Sequence, residues 1–298
     1  MTDLYRPLAD FGGAKPPAPR WFSDALAASP MVGHIESDGA EIEYLVWGEV
    51  SMPGILLLHG GGAHAYWWAH IAPFFAQTHR VVAMSMAGMG NSSWRETYAI
   101  EQHARDMRAV AEAAGLFDGG MPVIAGHSFG GAPTAAAAAA PDQWARLAII
   151  IDSSLDMRHS PDSSRYADRD RRYVESFEAG LARFRFLPGQ ECDNVYIADM
   201  IARRSLVEIE GKGWSWSFDP NNFARTARLD SRSKAIDARC PLAIVWGDRS
   251  PIMEDNILPG FKRDLPAGTR FVEIPDSGHH VMVDQPLALV AAIRALIA

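Results

Sequence analysis

Three kinds of side chain in this 298-residue chain could together do nucleophilic chemistry, and each stands within a few residues of the end of a short strand-like run. The serine is Ser128, within Gly126-His127-Ser128-Phe129-Gly130, where Val123-Ile124-Ala125 stops and an alanine-rich stretch begins. A GxSxG at a strand-to-helix junction is a nucleophile elbow. Small residues on either side let the backbone bend sharply and lift the serine Oγ above a sheet, at the positive end of the following helix. Two carboxylates stand in comparable places, Asp152 after Leu147–Ile151 and Asp248 after Leu242–Trp246, and the adjacent His279 and His280 follow Asp276-Ser277-Gly278. A serine hydroxyl is too weak an acid to attack a carbonyl unaided, so it needs an imidazole to take its proton, and the imidazole needs a buried carboxylate to fix its tautomer.

Such residues must be held by a sheet whose strands end together, because ligands of parallel α/β sheets gather at the carboxyl ends of the strands. The pattern predicts one. Val32 to Val46, with Asp38-Gly39 between two alternating runs, reads as a hairpin. Ile55–Leu58 is a continuous apolar run of the kind buried on both faces, and Arg80–Met84, Val123–Ala125, Leu147–Ile151, Leu242–Trp246 and Arg270–Ile274 read as further strands. Apolar residues recur at three and four over Ile100 to Ala114, predicting a helix that Gly115 stops, and a closing helix is expected from about Gln285 to Ile297.

Between residues 153 and 237 the rhythm breaks. Helices are expected at about Asp168 to Phe186 and Asp193 to Glu210, and the aromatics here, Trp214 and Trp216 among them, suggest an apolar underside over a pocket. The organisation expected is an irregular arm over 1–30 with five prolines, a core of 31–152 and 238–298, and a helical cap of 153–237.

On these motifs the chain resembles the α/β-hydrolase fold family over roughly residues 32 to 298. His59-Gly60-Gly61-Gly62 resembles its oxyanion loop, Gly126 to Gly130 its elbow, Met86 to Ser92 a degenerate copy of its DxxGxGxS loop, and Gly278-His279 with Asp284-Gln285-Pro286 its GHxxxxEP-type end. The resemblance implies a mostly parallel sheet flanked by helices with a cap after strand six. It implies Ser128 as nucleophile, His279 as base, and the backbone amides of Gly61 and Phe129, with Gly62 a third candidate, as oxyanion donors. It leaves the acid open. Many relatives carry an aspartate at the fourth position of GxxD after strand seven, where this chain has Ser250. Some lipases and haloalkane dehalogenases carry it after strand six, which favours Asp152 over Asp248. His64, Tyr66 and Trp67 are expected near the entrance, and Trp214 and Trp216 in the lid.

A net charge of −8 and a pI near 5.7 argue against general nucleic-acid binding. Cys192 and Cys240 form no CxxC or Cys/His cluster, so no metal site, cofactor or disulfide framework is expected. No run approaches membrane-span length, and a cytoplasmic monomer or homodimer acting on a small apolar molecule is the expectation. The activity implied is hydrolysis of a carboxylic ester or lactone. The alternatives are carbon–carbon bond hydrolysis of a ring-cleavage diketone, or a ligand receptor of the same fold. Epoxide and haloalkane hydrolysis are disfavoured, since those relatives carry aspartate where Ser128 stands.

Overall fold

The computed structural model describes residues 5–155, 169–227, 230–253 and 256–298. Eight strands form the central sheet: β1 Met31–Ser37, β2 Ala40–Trp47, β3 Gly54–Leu58, β4 Arg80–Met84, β5 Val123–His127, β6 Leu147–Ile151, β7 Leu242–Gly247 and β8 Arg270–Ile274. Their spatial order is β1-β2-β4-β3-β5-β6-β7-β8, with β2 antiparallel to both its neighbours and every other pair parallel. Strands β3 to β7 are buried along their whole length. Alternate side chains point to opposite faces. Leu57, Ala125 and Ile149 join one apolar layer, and Leu58, Ile124 and Ile150 join the other. Each fully buried Leu or Ile contributes about 1.5–3 kcal/mol of transfer free energy, so these runs hold the scaffold rigid.

Register then fixes the site. Leu58 pairs with Gly126, Gly126 with Ile150, and Ile151 with Val245, so β3, β5, β6 and β7 end in one row. The residues just past that row are His59, Ser128, Asp152 and the turn after Gly247. Helices Ile100–Ala113 and Gly131–Ala138 pack together on one face, and Pro286–Ile297 closes the other.

Two regions differ from the expectation. The arm holds a helix, Arg20–Ala27, with Phe22 and Ala25 buried. Four of the arm's five prolines lie at or before its N-cap, Pro19, and Trp21, Phe22 and Ala25 give it an apolar stripe that a proline count hides. The insertion is less helical than its periodicity predicts: helices Phe177–Ala182 and Val195–Ser205 accompany a three-stranded antiparallel sheet of Tyr173–Val174, Gly213–Trp216 and Leu206–Ile209. Leu206 is buried, Glu208 is exposed and Val207 and Ile209 are half-buried, and Gly211 and Gly213, both at positive φ, let the chain reverse into the Trp214 strand. Asp168, the expected start of the first helix, lies outside the described residues. Among the described residues no helix is long and apolar enough to cross a membrane.

Candidate active site

The elbow forms because two glycines let backbone meet backbone. A Cβ on Gly126 would run into the Gly130 carbonyl and Thr134 Oγ1, and one on Gly130 into the His59 carbonyl. Ser128 takes φ +52°, a left-handed conformation that a side chain adopts only under constraint, and it begins a 3-10 turn that leads into Gly131–Ala138. Its side chain is half-buried, pointing away from the sheet into hydrogen-bonding range of a histidine.

That histidine is His279. Its Nε2 lies 2.9 Å from Ser128 Oγ and its Nδ1 2.7 Å from Asp152 Oδ1. Both His279 and Asp152 are buried. Asp152 Oδ2 accepts the Gly247 N–H at 2.9 Å, and Ser250 Oγ donates to Asp152 Oδ1 at 2.5 Å while accepting from the Ile252 amide at 3.2 Å. A carboxylate with these donors is satisfied in its ionised form, and it holds the His279 proton on Nδ1, which leaves Nε2 free to accept. Asp248 points elsewhere. It is exposed, accepts the Ser277 amide at 3.0 Å, and has its pKa lowered first by that backbone hydrogen bond. Of the two carboxylates left open by the sequence, Asp152 is the one in contact with the imidazole.

Opposite the serine lies the loop after β3. His59 holds it from beneath: Nε2 accepts the Met86 amide at 3.0 Å, so Nδ1 carries the proton and donates to the Gly60 carbonyl at 2.7 Å. Burial lowers the His59 pKa to about 4, which keeps this two-ended arrangement neutral. Gly61 is exposed on the loop surface, and a Cβ there would collide with the Phe223 ring. Phe223 in turn meets Phe129 edge-on at 5.2 Å, and Phe218 lies beside Gly62. A cavity of about 130 Å³ opens beside the serine, lined by Ser128, Phe129, Ala132, Ser153, Leu155 and Ile252 among others.

The expected entrance residues sit differently. His64 is 2% exposed and bonded to Ser205 Oγ at 2.9 Å, with burial lowering its pKa to about 3. It bridges the loop after β3 to helix Val195–Ser205, which is a packing role and not the entrance position expected. Tyr66 is half-buried under the Arg204 guanidinium, 4.4 Å from its ring centroid. Trp67 is buried against Phe186 and His280. Trp214 stacks edge-on to Phe177 and Trp216 lies against Phe184, both packed on the body of the protein and neither lining the serine cavity. The described aromatics around the serine and the oxyanion loop are Phe129, Phe218 and Phe223. Phe218 and Phe223 share the aromatic-rich segment with the tryptophans, and nothing in their spacing distinguishes them.

His280 turns away from the serine into a layer of rings, 4.8 Å from His279, 5.5 Å from His127 and 5.0 Å from Phe186 by centroid. Burial pushes its pKa well below the ordinary histidine range, as it does for His127. Ring nitrogens of His127, His279 and His280 lie within 4.8 Å of one another. Both His279 nitrogens already face Asp152 and Ser128. As arranged, the trio is a stack of rings in which His279 is committed to its two partners.

A parallel sheet with an elbow after β5, an imidazole at the end of β8 and a glycine loop after β3 defines the class of fold. The sequence profile of the Alpha/beta hydrolase family matches residues 55–293, and the chain belongs to that family. It is 26% identical over 269 residues to an esterase of Mycobacterium tuberculosis, Rv0045c, covering 86% of each chain. It is 23% identical to epoxide hydrolase 3 of Xenopus tropicalis, covering 97% of this chain and 83% of that one. Among solved structures, the thioesterase domain from the curacin biosynthetic pathway superposes with a TM-score of 0.75 at 21% identity, covering 89% of this chain and 99% of that domain. The activity these relatives support is that of a hydrolase of the α/β fold.

Proposed function

We propose that the chain is a serine hydrolase that cleaves a carboxylic ester or lactone of an apolar or aromatic substrate through an acyl-enzyme. The observation that carries the reading is the unbroken chain Ser128 Oγ to His279 Nε2 at 2.9 Å and His279 Nδ1 to Asp152 Oδ1 at 2.7 Å. Ser128 Oγ attacks the substrate carbonyl carbon as its proton passes to His279 Nε2, and the imidazolium formed is stabilised by Asp152. Negative charge on the tetrahedral intermediate falls to the amides of Gly61 and Phe129, and one such donor is typically worth about 100- to 1000-fold in rate. The intermediate collapses with cleavage of the carbon–oxygen bond, and His279 returns the proton to the departing alkoxide. Water, deprotonated by the same Nε2, then frees the acid and restores Ser128.

The cavity beside Ser128, walled by Leu155, Ile252, Phe129 and Ala132, suits an apolar acyl group. Epoxide opening of the kind named in some relatives is disfavoured, since a serine stands where that chemistry uses a carboxylate nucleophile. The test is a fluorophosphonate probe together with a panel of p-nitrophenyl esters, a lactone and a diketone. Labelling at Ser128 with ester turnover is expected, and Ser128→Ala should abolish both with an unchanged melting temperature. An unlabelled wild-type protein, or a Ser128→Ala variant that still turns over ester, would sink the reading. A diketone cleaved in preference to every ester would move the reaction to carbon–carbon bonds.

A further inference from the structure

The loop that carries His279 is held by more than its own turn. Three successive backbone groups around the imidazole are each captured by a side chain from elsewhere. The Gly278 N–H donates to Asp284 Oδ2 at 2.7 Å, and the His280 N–H to Gln190 Oε1 at 3.0 Å. The His279 carbonyl accepts from His127 Nε2 at 2.9 Å. The two carboxamide and carboxylate side chains are themselves joined, Gln190 Nε2 donating to Asp284 Oδ1 at 2.9 Å. A Cβ on Gly278 would lie 3.1 Å from Gln190 Oε1 and 3.2 Å from Asp284 Oδ2, so the clamp closes directly on the backbone. Asp284 belongs to the turn that follows His279, but Gln190 comes from the insertion, about ninety residues away in sequence. Asn194 extends the same strap, its Nδ2 reaching the carbonyls of Val283 at 2.8 Å and Asp284 at 3.0 Å.

We infer that Gln190 is a positioning residue: with Asp284 it fixes the peptide on both sides of His279, so that the insertion sets the reach of the imidazole toward Ser128. An amide is suited to this place because it must accept from His280 and donate to Asp284 at once, which neither a carboxylate nor a hydrocarbon can do. The precision required is high, since a displacement of about 1 Å at a reacting group can cost 100-fold in rate. Asp284 is half-buried, and burial raises its pKa to about 6; the charged or titratable groups that act on it are Asp193, Cys192 and Arg249. The inference rests on the proposed role of His279, and the experiment separates the two.

Wild type, Gln190→Leu and Gln190→Glu are compared on p-nitrophenyl acetate from pH 6 to 8, with fluorophosphonate labelling and melting temperature measured on each. Gln190→Leu should lower kcat by about tenfold or more with KM within about twofold, because the imidazole is misplaced while the smallest ester still binds. Its activity relative to wild type should be flat with pH. Gln190→Glu puts a second carboxyl against Asp284; near neutrality the two repel, and as pH falls toward 6 they share one proton and rebuild the bridge. Its activity relative to wild type should therefore climb as pH falls. If wild type is labelled and turns over ester while Gln190→Leu keeps wild-type kcat, the inference is overturned and the serine-hydrolase reading stands. A loss confined to KM, or Gln190→Glu tracking Gln190→Leu at every pH, would equally overturn it. An inactive wild type would instead strike the reading on which it rests.

Discussion

Asp152, at the ends of β6 and β7, and Glu43, between β2 and β4, each sit against a serine. At the first, Ser250 occupies the place where many relatives carry the acid of GxxD, and Asp152 of the adjacent strand supplies the charge, taking a hydrogen bond from the serine at 2.5 Å. At the second, Ser85 directly precedes the loop of Met86 to Ser92, and Glu43 of the adjacent strand supplies the charge, taking a hydrogen bond from that serine at 2.8 Å. In both, the serine also accepts a backbone N–H, from Ile252 in one and Ala65 in the other. The remaining partners differ. Asp152 faces the imidazole of His279, whereas Glu43 faces Asn91, through Nδ2 at 2.6 Å and the amide at 3.4 Å. One arrangement therefore biases a proton donor and acceptor, and the other pins a loop. A carboxylate moved to the next strand can fill the same space, and what it does there depends on what its last lone pair meets.

The sharpest way to break the comparison is to neutralise each carboxylate. Asp152→Asn should lower kcat by roughly 1000- to 10,000-fold with little loss of fold, because an amide there supports the wrong imidazole tautomer. Adding Ser250→Asp should restore part of that loss, since Ser250 Oγ already reaches Asp152 Oδ1. Asp248→Asn is the control and should stay within a few-fold of wild type. Steady-state kinetics on one ester decide the matter: a dead Asp248→Asn beside an active Asp152→Asn would reverse the assignment.

Glu43→Gln should act on the other axis. Glu43 is 2% exposed and accepts from Ser85, Asn91 and the Asn91 amide, so an uncharged acceptor in its place weakens charge-assisted bonds and sets an NH₂ against donors. A loss of about 2 kcal/mol is expected, read as a drop of several degrees in melting temperature, with kcat reduced by less than about tenfold. A kcat loss as deep as that of Asp152→Asn, with the melting temperature unmoved, would mean that the two carboxylates do the same work.

Much of this arrangement could be read from the chain, and what could not has a common cause. Buried parallel strands are continuous apolar runs, so Ile55–Leu58, Arg80–Met84 and Leu147–Ile151 could be placed from composition alone, and with them the row of strand ends. The elbow was legible because backbone crowding at Gly126 and Gly130 leaves a mark in residue type. Pairings across distant strands leave none. Asp152 and Asp248 look alike until the Nδ1 of His279 is located, and Glu43, in an alternating strand that places it outward, is buried because the loop after β4 folds over it. The insertion was hardest. Its strands Tyr173–Val174 and Leu206–Ile209, of two and four residues, are too short to show a period of two, and Gln190, an ordinary glutamine on an irregular stretch, carries no signal that it reaches the His280 amide.

The finest division between the two regions lies in the serines themselves. Each donates to its carboxylate and accepts an amide, so on the hydrogen-bond count alone Ser250→Ala and Ser85→Ala should be equivalent. The carboxylates are not. Without Ser250, Asp152 keeps the Gly247 amide and His279, and it loses one donor from the oxygen that holds the imidazole, which alters the basicity of that oxygen and the freedom of the ring. Without Ser85, Glu43 keeps Asn91, while the Ala65 amide, buried beside the oxyanion loop, loses its acceptor and carries a desolvation cost of about 1–3 kcal/mol. Ser250→Ala should therefore change kcat by about three- to tenfold with the melting temperature within a degree or two, and Ser85→Ala should lower the melting temperature by several degrees with kcat within about threefold. Both readouts are taken on both variants. If Ser85→Ala moves kcat and Ser250→Ala moves only stability, the distinction between a carboxylate that tunes a base and one that pins a loop has been assigned to the wrong sites.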